Sequence, residues 1–189
     1  VPLFEGGTAC STQNNGFVEN GDIPVYRFQI TTNDNQTIGI SISKKGGHVV
    51  YLISNRDVGE QQLDEQEAIS KGKEYLTNKG FYNMQETYYM KQDRFITINY
   101  AYKQGNVVMY ADLIKVKIAL DNGEILGIET TGYLNCHTQR DTSKIKISKD
   151  DAKIILDIGF GSGRDSLYFS KKYEVYSIDP EKEFCEHAK

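Results

Sequence analysis

The sequence predicts an α+β fold: tandem units of antiparallel sheet with a helix packed on one face, plus a short C-terminal α/β fragment. Three observations predict it. Apolar residues recur with a period of two in short runs separated by tight turns, as strands with one buried face require. One segment changes to helical spacing and carries its own start and stop signals. The hairpin and helix-start patterns then recur at an offset of roughly 80 residues, the mark of an internal repeat.

The elements follow in order. Residues 1–22 are rich in Gly, Asn, Thr and Ser, with no period, and read as a loose leader. Val25 to Ile30 is a first strand. Asn33-Asp34-Asn35 turns the chain into a second, where Ile38, Ile40 and Ile42 alternate with Gly39, Ser41 and Ser43. Lys45-Gly46-Gly47 forms a tight turn, and His48 to Ile53 returns. Asp64 and Glu67 make a capping box, and Ala68, Ile69, Gly72, Tyr75 and Leu76 share one helical face that ends at Gly80. That stripe needs a sheet to cover. Asn83 to Lys91, Arg94 to Lys103, Val107 to Leu120 and Ile125 to Thr130 supply it. In the third of these, Ile114, Val116, Ile118 and Leu120 face one way and Lys115 and Lys117 the other, whereas Asp112 marks a bulge or strand edge.

Composition narrows the function. The 189 residues suffice for one compact domain or two small ones. A net charge of -4 with scattered Lys and Arg leaves no nucleic-acid footprint. Cys10, Cys136 and Cys185 are odd in number and widely spaced, which fits free thiols rather than a disulfide framework or zinc site. The adjacent pair Cys136-His137 lacks further ligands nearby in sequence. No apolar run is long enough for a membrane helix. The chain starts at Val1 without a signal peptide and reads as a fragment whose targeting or anchoring segment would lie upstream.

The repeat is visible in two places. Ile40 to Val50 echoes Val116 to Leu126, and Asp64 to Ile69 echoes Ser148 to Lys153. An "EA" helix at Glu67-Ala68 and a closing hairpin Asp121-Asn122-Gly123-Glu124-Ile125-Leu126-Gly127 resemble the PepSY repeat. Lys44 to Val49, Asn55-Arg56-Asp57, Tyr110 to Glu124 and Gly132-Tyr133-Leu134 with His137 and Arg140 resemble the YpeB family of spore germination proteins. The resemblance spans about two-thirds of the chain. It divides the chain into a loose leader at 1–22, a sheet-only PepSY-like unit at 23–60, a complete unit at 61–147 and, from 148, the start of a third. It implies a non-enzymatic protein of the spore, outside the inner membrane, whose partner is a cortex-lytic hydrolase of SleB type that each stabilises or restrains. PepSY repeats in general imply a second possibility, inhibition of another secreted hydrolase or peptidase.

The residues permit a binding role. Tyr88, Tyr89, Tyr100 and Tyr102 either form an aromatic recognition surface or pack under the helix. Arg56 and Asp57, and His137 to Arg140, sit past strand ends, as ion pairs between repeats or as partner contacts. Arg56, Asp57, Tyr88, Tyr89, His137 and Arg140 are therefore the partner-binding candidates, and no catalytic constellation stands out.

Beyond residue 152 the pattern changes. Ile154 to Asp157 is an apolar run into Asp157-Ile158-Gly159-Phe160-Gly161-Ser162-Gly163, and Tyr173 to Ile178 reads as a strand ending at Asp179. The stretch resembles the opening motifs of class I S-adenosylmethionine-dependent methyltransferases. By that resemblance Asp157, Gly159, Gly161 and Gly163 would line the cofactor and Asp179 would hold its ribose. A doubly wound fold needs several further parallel strands. The expectation is therefore a truncated or fused remnant with no cofactor, replacing the body of the third unit.

Overall fold

The computed structural model describes residues 9–18, 23–143, 154–158 and 174–178. The chain divides into two compact units, Val1–Gln139 and Arg140–Lys189.

The first unit is built on one eight-stranded antiparallel sheet. Its strands are β1 (Ala9–Val18), β2 (Val25–Thr32), β3 (Thr37–Ser43), β4 (Val49–Ser54), β5 (Met84–Gln92), β6 (Phe95–Gln104), β7 (Val107–Ala119) and β8 (Ile125–Glu129). Two helices accompany them, α1 (Glu65–Asn78) and α2 (Thr131–Cys136). The spatial order is β1-β2-β3-β4-β8-β7-β6-β5. The two predicted sheets thus join edge to edge. The seam is short, with Tyr51 opposite Glu129, Leu52 opposite Ile128 and Ile53 opposite Gly127. Thr130 reinforces it, donating its backbone N–H to the Val50 carbonyl at 3.0 Å and its hydroxyl to the Val49 carbonyl at 2.7 Å.

The repeat holds at the level of register. Ile40 pairs with Leu52 as Val116 pairs with Ile128. Each hairpin then slips by one residue at the same place, between Ser41 and Ile42 in β3 and between Lys117 and Ile118 in β7. A bulge kept in both copies is a local property of the hairpin sequence.

α1 begins at the predicted box. The Glu67 N–H donates to Asp64 Oδ1 at 2.8 Å and the Asp64 N–H donates to Glu67 Oε2 at 2.9 Å. Gly80 ends it with φ of 87°. The helix lies on β5, β6 and β7 and buries Ala68, Gly72 and Leu76. Beneath it Ile96, Ile98, Tyr100, Ile114, Val116 and Ile118 are fully buried. Gly72 is set by packing, because a Cβ there would run into the Tyr100 hydroxyl and the Ile118 side chain.

Two differences from the sequence reading stand out. Residues 9–18 of the leader form β1, paired with β2 from Ala9 opposite Thr32 to Val18 opposite Val25. Its polar residues hid it: Ser11 to Phe17 are exposed on an edge strand, so no apolar alternation was needed. α2 was not foreseen; it is six residues long, and the Thr130 hydroxyl, which donates to the Val49 carbonyl, accepts from none of its N–H groups. Ile154–Ile158 forms strand β9.

In the second unit β9 pairs in parallel with β10 (Glu174–Ile178), with Ile154 opposite Glu174 and Ile158 opposite Ile178. Both strands fall where the apolar runs placed them. Asp157 lies in β9, opposite Ser177. Gly159, Gly161, Gly163 and Asp179, and the expected third helix start at Ser148 to Lys153, lie outside the described residues.

Candidate partner-binding site

The five candidate residues of the first unit do not form one surface. Arg56 follows β4 and reaches the β7–β8 turn. Its Nη1 and Nη2 donate to the two Asp121 carboxylate oxygens, each at 2.8 Å, and Nη2 also donates to Asn122 Oδ1 at 3.2 Å. Glu124 Oε2 sits 2.7 Å from Nε without the alignment of a hydrogen bond, so that contact is an ion pair only. The Gly59 N–H completes the cluster by donating to Asp121 at 2.8 Å. The hydrogen-bonded guanidinium holds the Asp121 carboxyl down at about 2 and raises Arg56 in turn. Arg56 therefore clamps the segment between β4 and α1 onto the second hairpin, while Asp57 beside it is exposed.

The tyrosines separate by strand position. Tyr100 is fully buried under α1, and its hydroxyl donates to the Ile69 carbonyl at 2.7 Å. Burial, and secondarily Glu86, pushes that hydroxyl far above its ordinary range. Tyr102 is also buried. On β5, Tyr88 pairs with Asn99 and Tyr89 with Ile98, so the two lie on opposite faces of the sheet. Tyr88 is 60 % exposed on the helix-free face, and Tyr89 is 38 % exposed on the helix side.

His137 belongs to a cluster at the end of the sheet. Its Nδ1 lies 2.8 Å from Asp112 Oδ2. The imidazole stacks on Tyr133 at 4.2 Å and 14° and meets Tyr102 edge-on at 4.5 Å. Asp112 is fully buried within a β7 bulge: Leu113 pairs with Ala101 and Met109 with Tyr102, so Tyr110, Ala111 and Asp112 loop out of register. Burial raises the Tyr133 hydroxyl, aided by Tyr102 and Asp112. A buried carboxylate inside an apolar strand needs a partner; that was the signal for the Asp112–His137 pair, which sequence separation concealed. The cluster anchors α2 to the bulge. Arg140 is half-buried and begins the second unit.

The helix-free face is the open surface. In register across it run Tyr88, Asn99, Lys115, Glu129, Tyr51, Ser41 and Arg27. Lys115 pairs with Glu129 at 3.1 Å, and Lys117 lies over the Phe95 ring at 3.7 Å. Tyr51, Ile53, Tyr88 and Met90 stand exposed on this face. Among the described residues no three His, Cys, Asp or Glu side chains gather to hold a metal ion, and no helix is long and apolar enough to cross a membrane.

Helix on one face of an antiparallel sheet, closing hairpins in register and an open opposite face define a tandem PepSY-type module. Residues 5–143 match the family model described as YpeB sporulation, PepSY1 and PepSY2 domains, and the chain belongs to that family. Sporulation protein YpeB of Oceanobacillus iheyensis is 33 % identical over 136 residues, covering 71 % of this chain and 30 % of the relative. Its counterpart in Bacillus subtilis is 31 % identical over 132 residues, 68 % of this chain and 29 % of the relative. The Bacillus megaterium YpeB C-terminal domain superposes with a TM-score of 0.66 at 28 % identity, covering 76 % of this chain and 66 % of that one. The chain thus spans under a third of the length of the curated relatives it matches.

Proposed function

We propose that this chain is a non-enzymatic module of a spore germination protein that binds a cortex-lytic hydrolase of SleB type and stabilises or restrains it. Membership in the sporulation family supports the setting. The observation that carries the binding reading is the helix-free face, where Tyr51, Ile53, Tyr88 and Met90 are exposed among polar side chains. Exposed aromatic and Met side chains are the anchors that protein interfaces favour. The site would lie outside the spore inner membrane, where such a hydrolase works.

The full chain immobilised on a sensor surface should retain the hydrolase, and Tyr88→Ala with Tyr51→Ala should weaken retention at least about tenfold. Lack of retention by the folded, unsubstituted chain overturns the reading. Inhibition of other secreted hydrolases or peptidases by the same face is the alternative outcome, read by activity assays against a panel.

A second reading follows from the parallel pairing of β9 and β10. It matches the opening of a cofactor-binding α/β sheet, for which Asp157 and Asp179 would be the acidic groups. We take this piece as a remnant without cofactor function. Calorimetric titration with S-adenosylmethionine tests it, and saturable heat would restore the methyltransferase reading.

A further inference from the structure

The helix-free face carries a trough along β3, walled by β2 and β4. Arg27 stands opposite Ser41 and Gln29 opposite Gly39. Across the other side Ser41 faces Tyr51 and Gly39 faces Ile53. Long side chains thus flank a floor that has a hydroxymethyl at one position and nothing at the next. Two strand spacings set the walls about 10 Å apart. Tyr51 and Ile53 rise from β4 with 43 % and 41 % of their surface exposed. A cavity of about 470 Å³ opens here, with Val18, Ile23 and Val25 forming an apolar end and Asn15 a polar rim.

Gly39 has no structural reason to be glycine. Its backbone is outside the left-handed region, and a Cβ would meet only the Ile53 side chain, at an ordinary 3.7 Å. Glycine inside a strand weakens the strand and marks a bulge, a tight bend or close approach by a ligand or another backbone, and Gly39 is in register with both Gln29 and Ile53, which removes the bulge. Charge gives the second indication. Lys115 on this face is neutralised by Glu129, and Lys117 is seated on Phe95. Among the described residues Arg27 makes no salt bridge, although it is exposed at the trough wall.

We propose that the β3 trough docks an extended acidic segment of a protein partner. Its backbone passes over Gly39, a carboxylate pairs with Arg27, and its apolar side chains rest against Ile53, Tyr51 and the Val25 end. This deepens the binding reading above and rests on it for the partner's identity, but the trough itself is testable without the hydrolase.

The probes are two capped synthetic hexapeptides, one alternating Val with Glu and one alternating Val with Gln, titrated into the isotopically labelled full chain. The Glu peptide should shift the amides of Arg27, Gly39, Ser41 and Tyr51 and bind about tenfold tighter than its Gln counterpart. Gly39→Val fills the floor where space permits, so it should fold normally and lose binding at least tenfold. Arg27→Glu should abolish the preference for the Glu peptide. Shifts that avoid the trough, equal affinity for both peptides, or unchanged binding by a folded Gly39→Val chain would each overturn the proposal. The hydrolase separates the two levels: retention that is insensitive to Gly39→Val leaves the binding function standing and removes the trough, whereas no retention with intact peptide binding removes only the hydrolase as partner.

Discussion

The hairpins β3–β4 and β7–β8 share a register and a bulge but sit in different surroundings. In the second, β7 lies beneath α1 and its Ile114, Val116 and Ile118 are completely buried, whereas Leu126 and Ile128 of β8 are 2 % and 4 % exposed. The first has no preceding PepSY helix among the described residues. Its Ile38, Ile40 and Leu52 retain 2–4 % exposure, and Phe28, Ile30 and Ile42 are only partly buried. Hairpin geometry is thus local, set by alternation and turn, whereas depth of burial depends on what covers the sheet. The helix-bearing half holds the most completely buried side chains. The helix-poor half leaves its opposite face available for a trough.

The largest test of that division is Tyr100→Ala. It removes a fully buried ring and the hydroxyl bond to Ile69, and should cost about 3–5 kcal/mol in denaturant unfolding. A loss below about 1 kcal/mol would place the core elsewhere. Gly72→Ala comes next. Helix propensity favours alanine, but the new methyl meets Tyr100 and Ile118, so the net effect should be a loss of about 1–2 kcal/mol. Increased stability would show that the helix sits looser on the sheet.

The Arg56 clamp links the two halves. Arg56→Met should destabilise by about 1–2 kcal/mol, because the pair is partly screened but leaves Asp121 and Glu124 facing each other when broken. Asp121 titrates at about 2 when folded against an ordinary 3.8. Its contribution is therefore complete above pH 4 and disappears as the pH falls from about 4 to about 2. Arg56→Met should flatten that acid limb, and an unchanged limb would assign it to other carboxylates. Asp64→Ala should cost about 1 kcal/mol through loss of the cap. Tyr88→Ala should move stability by less than about 0.5 kcal/mol, since the ring is mostly exposed. A larger change would make Tyr88 a packing residue and weaken its assignment to binding.

Much of this arrangement was legible residue by residue. Asp64 and Glu67 announced α1, Gly80 its end, and the isoleucine alternations their strands, because caps, positive-φ turns and period-two burial are local rules. Asp112 announced a bulge or a strand edge, and the structure has the bulge. The site was less legible. Tyr88, Tyr89, Tyr100 and Tyr102 read either as one aromatic surface or as packing under the helix, but successive strand residues such as Tyr88 and Tyr89 point to opposite faces. Arg56 read as an ion pair between repeats or as a partner contact, and the structure sets Asp121 against it.

The sequence by itself determined helix α1, the strands from β2 to β8, the positions of the two strands of the second unit and the repeated hairpin. All of these depend on propensity and periodicity over a few residues. Only the tertiary structure decided that β4 joins β8 into one sheet, that the leader supplies β1, that Asp112 meets His137, and that Gly39 lies at the bottom of a trough. Those facts depend on contacts between residues distant in the chain, and a local pattern carries no information about which distant partner closes the contact.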